Sequence, residues 1–255
     1  MKQVFLISEK VYGPQKELAL RSITSSIRRE ISGLQVKLVS IDIAEKGWLQ
    51  LVLEGEDAEA ARNFLSRKHS LVRSLEELRP GLTIRGKLVE PKRFGYGLYV
   101  DIGLPSNEKD AFIPLYTLRR QLLNNIRKPL RVIVDNFALI ENFPLEVKIL
   151  NINREKGDIE AELSENQAFM FKRWVNSSSD RIIVCGSTRQ QVRKAVIKSG
   201  HLRDIVSIER LGLLEHVVIC KYGSDGPGLI YEIGKFLPDV PMKGFLPKNI
   251  KALIG

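Results

Sequence analysis

Hydrophobic positions in the first 75 residues follow a strand, helix, strand, strand, helix order. QVFLI is a short apolar run, and the helix predicted after it repeats Leu18, Ile23, Ile27 and Ile31 along one face. VKLVSIDIA and WLQLVLEG then alternate with period two and are joined by EKG, which predicts a hairpin. DAEAARNFLSRK returns to a helical pattern. Residues 1–75 are therefore predicted to form a βαββα, or ferredoxin-like, domain.

The same order returns in residues 166–255. After a linking helix in QAFMFKRWV, the strand RIIVC precedes the helix TRQQVRKAVIKSG. DIVSIERLG and LLEHVVICKYG predict a second hairpin, and SDGPGLIYEIGKFL predicts a second helix. MKGFLPKNIKALIG is expected to be a tail. This segment is predicted to be a second βαββα domain, and its likeness to the first is a weak sign of an internal repeat.

Residues 76–165 have a different pattern, with short strands separated by glycines and turns. TIRGKLVEP, GLYVDIG, AFIPLYTL, LEVKILNIN and IEAELSE are five such strands, which predicts a small barrel. One connection is long, because residues 118–137 begin as a helix and break at Pro129. The chain is thus predicted to be a multi-domain α+β protein, with a barrel that carries a helical insertion between two βαββα domains.

The start of the barrel segment resembles an S1 domain, the oligonucleotide-binding barrel of ribosomal protein S1 and many RNA factors. Gly81, the strand ending in Gly86-Lys-Leu-Val89, and Tyr96-Gly-Leu-Tyr99-Val follow that family's order and spacing. The resemblance implies an S1-like OB barrel. It also implies that Tyr96 and Tyr99 stack on bases, and that Lys92 and Arg93 hold phosphates. Phe94 and Tyr96 alternate on one strand face, so a bulge at Gly97 is needed to bring Tyr99 to the same side.

Three positions depart from the S1 pattern. Pro114 stands where RNA-binding members have histidine, Asn153 stands where they have aspartate, and Asp158 replaces an arginine. An anion in place of a cation repels phosphate. A barrel that serves as a scaffold or as a protein-docking module therefore stays open as an alternative.

The net charge of +10 favours an anionic partner, either nucleic acid or an anionic membrane surface. Most of the excess lies in residues 166–255, whereas the barrel segment is neutral overall. Basic side chains cluster in the insertion, and others lie at helical spacing in TRQQVRKAVIKSG, where a solvated helix face is the ordinary interpretation. The predicted nucleic-acid-binding residues are Lys92, Arg93, Phe94, Tyr96, Tyr99, Arg119, Arg120, Arg127, Lys128, Arg131, Arg189, Arg193 and Lys198.

Signs of catalysis are few. The three histidines show no metal-binding spacing, and Cys185 and Cys220 lie in apolar runs typical of core residues. GSDGPGLIYEIG lacks the Gly-Lys-Ser/Thr of a Walker motif, so Asp225 is predicted to cap a helix. We expect no enzymatic activity, no cofactor and no metal. A hydrolase or transferase with a site between domains remains the third alternative.

The chain as a whole resembles an uncharacterised archaeal protein family. Archaeal RNA polymerase stalk subunits and the alpha subunit of translation initiation factor two also join an S1 barrel to small α/β domains. The leading prediction is a cytoplasmic protein that binds single-stranded or structured RNA in translation, transcription or RNA processing. Ribosomal or RNA polymerase proteins are the expected protein partners, and no membrane is expected. The alternative is a non-catalytic docking subunit of a ribonucleoprotein or transcription assembly.

Overall fold

A computed structural model describes residues 1–69, 74–104 and 109–255, apart from the side chain of Lys68. The described strands form three separate sheets, and each sheet is built from a single stretch of the chain. Two of the sheets are open and antiparallel, and the third closes into a barrel. The fold class is the predicted one, α+β with several domains.

The first sheet is three-stranded with the order β1-β3-β2, and both helices pack on it. The hairpin turn that joins β2 to β3 puts Lys46 and Gly47 at positive φ. One face of α1 is buried at Ala19, Ile23 and Ile27, whereas Leu18 is 47% exposed, so the predicted core position of Leu18 is wrong. The elements are β1 (Lys2–Lys10), α1 (Lys16–Glu30), β2 (Val36–Ile43), β3 (Trp48–Gly55) and α2 (Ala58–His69).

The middle strands close into a five-stranded barrel with the order β4-β5-β6-β8-β7. The predicted insertion consists of two helices between β6 and β7, and Pro129 occupies the N-cap of the second. AFIPLYTL is a strand only as far as Pro114, because Leu115 already begins the first inserted helix. The elements are β4 (Thr83–Val89), β5 (Gly97–Asp101), β6 (Ala111–Pro114), α3 (Leu115–Leu122), α4 (Leu130–Asn136), β7 (Pro144–Asn153) and β8 (Asp158–Leu163).

The third sheet has four strands with the order β10-β11-β9-β12. Its fourth strand corrects the prediction of a C-terminal tail, because the tail residues pair with β9 and then form a helix. Four strand residues between two prolines are too few to show a period. The elements are α5 (Glu165–Asn176), β9 (Arg181–Cys185), α6 (Arg189–Lys198), β10 (Ile205–Arg210), β11 (Glu215–Cys220), α7 (Gly226–Gly234), β12 (Met242–Phe245) and α8 (Pro247–Ile254).

The barrel and the third sheet share one hydrophobic core. Phe171 of α5 lies between barrel and sheet, with its ring centroid 5.5 Å from that of Phe137 and 6.4 Å from that of Phe245. Ile183 and Val217 of the sheet are fully buried in the same cluster. The middle and C-terminal parts of the chain are therefore joined by continuous packing rather than by a flexible linker.

Buried polar side chains join all three parts of the chain. The carboxylate of Glu215 accepts hydrogen bonds from the Tyr12 hydroxyl at 2.5 Å and from Lys87 Nζ at 2.6 Å. Nearby, Asp101 of the barrel accepts hydrogen bonds from Lys10 and from the Trp48 indole, both at 3.1 Å. Charges this deep in a protein need such partners, so removing one member of these pairs leaves an uncompensated buried charge.

His216 is a buried histidine whose protonation is expected to make stability pH-dependent. It is fully buried, and no side chain among the described residues hydrogen-bonds to either ring nitrogen. Burial, reinforced by Arg210, lowers its pKa to about 4. In the unfolded chain the pKa of His216 returns to about 6.5. Between that pH and about 4, the unfolded state therefore binds a proton at His216 that the folded state does not bind. Stability is therefore lost as the pH falls from about 6.5 towards 4.

The variant His216→Phe is expected to lack this loss. Urea unfolding should show the wild type losing about 2 kcal/mol more than the variant between neutral pH and about pH 5. The difference between the two proteins removes the contribution of carboxylates that titrate in both. If the unfolding free energies of the wild type and of His216→Phe change with pH in parallel, the folded state does not hold His216 neutral.

Among the described residues, every helix is too short or too polar to span a lipid bilayer.

Candidate nucleic-acid interface

Four aromatic side chains form a cluster on the outside of the barrel. The rings of Phe94, Tyr96, Tyr99 and Phe112 lie with neighbouring centroids 5.1–5.6 Å apart. The hydroxyl oxygens of Tyr96 and Tyr99 are 3.3 Å apart. We refer to these four residues as the aromatic cluster. The two predicted tyrosines therefore lie on the same side of the barrel.

The positions of these rings follow from strand alternation. Tyr99 and Phe112 face each other across β5 and β6, while Leu98 and Val100 point into the core. Tyr96 precedes β5, in the loop from β4. The pairing of β5 with β6 runs from Gly97 without a shift, so the predicted bulge is absent there. The loop, and not a bulge, brings Tyr96 over the strand.

Gly97 allows a close approach between β5 and β6. A Cβ atom at this position would lie 2.3 Å from Phe112 Cε2 and 2.5 Å from the Ile113 carbonyl oxygen. The absent side chain leaves room for the ring of Phe112. Gly95, by contrast, borders open space. Phe112 itself was missed, although its place between buried Ala111 and Ile113 is a period-two signal.

The aromatic cluster is partly buried, with one ring at its surface. Tyr96 is 55% exposed, and the other three rings are half-buried. The hydrogen bond with Tyr96, together with burial, raises the pKa of Tyr99 to about 12. Both hydroxyls share one edge of the cluster, and Tyr99 stays neutral at physiological pH. The cluster is therefore an uncharged surface of mutually tilted rings, with Tyr96 outermost.

Basic side chains border the cluster on the side of Phe94. Lys92, Arg93 and Arg131 line a small cavity of about 340 Å³ with Phe94. The Arg93 guanidinium lies 5.1 Å from the centre of the Phe94 ring and is paired with Glu90. Arg131 is the most open of the three, since its side chain is 84% exposed. These cations point to this flank as the one that suits an anion.

Asp135 of α4 partly neutralises that flank. Its carboxylate pairs with Lys243 of β12, lies 3.1 Å from Lys92 Nζ, and lies 3.7 Å from Arg131 Nε. Lys243, followed by Lys92, holds the pKa of Asp135 below its usual value. Because one carboxylate is shared by three cations, the net charge of this flank is positive.

An acidic row borders the cluster on the other side. Asp158, Glu160 and Glu162 alternate along the outer face of β8, and Glu160 is the register partner of Phe112. Their partners are Lys109 at 2.7 Å, the Tyr116 hydroxyl at 2.7 Å and Arg120 at 2.6 Å. A phosphate chain on this side would meet carboxylates that already have partners. The surface is therefore polarised, with cations on one flank and anions on the other.

The remaining basic residues of the insertion lie away from the aromatic cluster or bind within the protein. Arg119 donates from Nε to the carbonyl of Lys128 at 2.8 Å, which closes the connection between α3 and α4. Arg120 pairs with Glu162, while Arg127 is exposed in the same connection. Sequence spacing does not reveal which arginines bind within the protein. Arg131 is the member of the insertion that borders the aromatic cluster.

The basic residues of α6 lie in a different place. Arg189 and Arg193 line a larger groove of about 630 Å³ together with α1, whereas Lys198 does not line it. Arg210 of β10 lines the same groove and was not predicted. Asp225 occupies the N-cap position of α7, but its side chain makes no capping hydrogen bond.

Reactive side chains at the junction are enclosed. Cys185 and Cys220 are free and buried, and burial raises the pKa of the Cys185 thiol well above its usual value. Glu215 lies beside that thiol, yet neither residue lines the basic cavity beside Phe94 or the groove at α6. Within the described ranges, no three His, Cys, Asp or Glu residues are grouped to hold a metal ion.

The chain has distant likenesses to solved structures. An uncharacterised protein from Methanocaldococcus jannaschii matches at 15% identity and a TM-score of 0.24, over 35% of this chain and 96% of its own. A chain of the a/eIF2alpha–aDim2p–rRNA complex from Pyrococcus horikoshii matches at 17% and 0.27, over 48% and 64%. The intact alpha subunit of aIF2 from Pyrococcus abyssi matches at 8% and 0.25, over 66% and 97%. Scores this low support no argument about this chain.

No curated protein matches the chain. Family models match it in three consecutive parts. Residues 4–74 match the DUF2110 N-terminal domain, residues 78–175 the DUF2110 central domain, and residues 179–241 the DUF2110 C-terminal domain. The three matches follow the order of the first sheet, the barrel and the third sheet, and the chain belongs to the DUF2110 family.

Proposed function

We propose that the chain binds single-stranded RNA on the outer face of its barrel, with the aromatic cluster as the stacking surface. The observation that carries this proposal is the exposed ring of Tyr96, which lies above three further rings and beside a basic cavity. RNA is the expected ligand because the strands of this barrel resemble those of S1 domains.

The stacking surface supplies the affinity that does not depend on salt. A base stacked on an exposed aromatic ring contributes about 1–3 kcal/mol, whichever base it is. Phe94, Tyr99 and Phe112 hold the Tyr96 ring in place, so little side-chain freedom is lost when a base stacks on it. One or two bases fit a surface of this size, which suggests weak sequence preference.

The charges on the two flanks direct the phosphates. The RNA backbone would run past Lys92, Arg93 and Arg131, and it would avoid the acidic row of β8. Neutralising about three phosphates on a single strand gives a log–log salt slope of about −2. The proposal therefore predicts weak dependence on salt, unlike that of a protein that tracks a long stretch of phosphates.

Replacing Tyr96 by alanine is expected to weaken the binding of a fluorescein-labelled single-stranded RNA by about fivefold to one hundredfold, which corresponds to one lost stack. Tyr96→Phe keeps the ring and should keep most of the affinity. Fluorescence anisotropy titrations at several salt concentrations measure both the affinity and the slope.

The matched control is Tyr222→Ala, which removes another tyrosine that is 83% exposed but lies in the C-terminal part of the chain. It should bind RNA like the wild type. Equal affinities for the Tyr96→Ala and wild-type proteins would rule out the stacking surface.

The acidic row of β8 favours a second function, a non-catalytic docking subunit in which the barrel contacts protein. Asp158, Glu160 and Glu162 would meet the basic surface of a partner. In that case Tyr96→Ala would weaken capture of a protein partner and leave RNA affinity unchanged. Crosslinking in cells, with identification of bound RNA and bound protein, distinguishes the two functions.

A further inference from the structure

The groove between the first and third sheets runs along β10, an edge strand. β10 pairs with β11 on one side and has no strand on the other in the described structure. Helices α1 and α6 contribute most of the remaining lining, and the groove has a volume of about 630 Å³. Exposed strand edges offer unpaired backbone groups to another chain.

The backbone of β10 presents such groups to the groove. The carbonyl of Ile208 accepts a hydrogen bond from Arg189 Nε at 3.1 Å, and Leu211 N–H continues the ladder to Glu215 at 2.9 Å. Alternate residues of an antiparallel strand bond to opposite sides, so Ile208 and Arg210 point their backbone groups away from β11. Among the hydrogen bonds of the described residues, the N–H groups of these two have no partner across the groove.

The groove is basic and partly apolar. Its cationic side chains are Arg189, Arg193, Lys194 and Arg210, and none of its lining residues in the described chain is acidic. Glu209 lies on β10 but does not line the groove.

Apolar side chains stand between these cations. Leu18 of α1 is 47% exposed, Leu202 is 54% exposed, and Val206 of β10 is 62% exposed. Exposed apolar side chains gathered at one groove are typical of a protein-binding surface.

The chemistry favours an acidic peptide over RNA. No aromatic ring lines the groove in the described structure, so bases would find no stacking surface here. An extended peptide can satisfy the free strand edge, place carboxylates against the cations, and cover the apolar side chains. We propose that β10 binds an extended, acidic and apolar segment of a partner protein by strand addition. This proposal is independent of RNA binding at the barrel.

Arg189 has a defined part in this arrangement. Its Nε donates a hydrogen bond to the carbonyl oxygen of Ile208 on the outer edge of β10. An incoming strand would take that carbonyl with a backbone N–H, and the released guanidinium would pair with a carboxylate of the segment. Arg193 and Lys194 are exposed on α6 and have no such internal contact among the described hydrogen bonds, so they are free to meet further carboxylates.

The test uses the full chain and a fluorescein-labelled peptide of about eight residues, which alternates glutamate and valine and is long enough to span β10. Anisotropy should show saturable binding at low salt. The peptide should bind the double variant Arg193→Glu/Lys194→Glu about tenfold more weakly than it binds the wild type. A peptide N-methylated at alternate residues should bind the wild type about tenfold more weakly than the unmodified peptide does. Hydrogen exchange should become slower at the amides of Ile208 and Arg210 when the peptide binds.

Two controls separate this site from the barrel. Arg28→Glu/Arg29→Glu reverses two exposed charges of α1 that do not line the groove, and it should leave peptide binding unchanged. Tyr96→Ala should also leave it unchanged. The proposal is wrong if the peptide shows no binding at a concentration of about 1 mM, or if the N-methylated peptide binds equally well. It is also wrong if Arg193→Glu/Lys194→Glu abolishes RNA binding and spares peptide binding.

Discussion

Replacing Glu215 by alanine is expected to destabilise the protein by about 3–5 kcal/mol, because it leaves the buried ammonium of Lys87 without a counter-charge. Glu215 is fully buried, and Lys87 is 2% exposed. The Tyr12 hydroxyl, whose pKa is raised by burial and by the Glu215 carboxylate, would lose its acceptor as well. The free energy of unfolding in urea measures the loss.

A double variant separates the lost partner from the lost packing. Lys87→Met/Glu215→Leu removes both charges and fills similar volumes, so it should recover most of the stability. Glu232→Ala breaks an exposed pair with Lys235 and should change stability little. A loss in the double variant as large as in Glu215→Ala would show that the charges themselves are not the cause.

Replacing Phe171 by alanine is expected to destabilise the protein by about 3–5 kcal/mol through the cavity that it leaves. The ring is 1% exposed and lies 5.9 Å from the ring of Trp174 and 6.0 Å from that of Phe143. Because the cavity would open between the barrel and the third sheet, the two should lose their common unfolding transition. Thermal unfolding followed by tryptophan fluorescence and by circular dichroism tests this.

Phe169→Ala is the matched control. Phe169 lies on the same helix but is 61% exposed, so its removal should change stability far less. Equal losses in the two variants would show that α5 contributes helix propensity and not packing between the barrel and the sheet.

The elements were largely predictable because each follows from a local pattern. Period-two alternation identified the two hairpins, and the helical pattern identified the insertion and its break at Pro129, although not the second helix that follows. The closed barrel followed from the number of short strands and from the resemblance to S1 domains. The predictions were wrong where the pattern was short or ambiguous. Leu18 was predicted to be buried, and the segment that forms β12 was predicted to be a tail.

The candidate sites were predictable only in part. Tyr96 and Tyr99 were identified from their spacing, but Phe112 completes the cluster from another strand. The basic stretch from Arg119 to Arg131 was predicted as one surface. In the fold, Arg119 and Arg120 bind within the protein, and Arg131 alone of the predicted insertion residues lines the basic cavity beside Phe94.

Local sequence was sufficient for the order of strands and helices, since hydrophobic period and turn residues act within a few positions. It was not sufficient for which side chains meet. Glu215 and Lys87 are 128 positions apart, and Phe137 and Phe171 belong to different predicted domains. Contacts of this kind depend on how sheets pack and which charges find partners when buried, and no local pattern records that. The aromatic cluster and the edge of β10 became surfaces with defined neighbours through that packing.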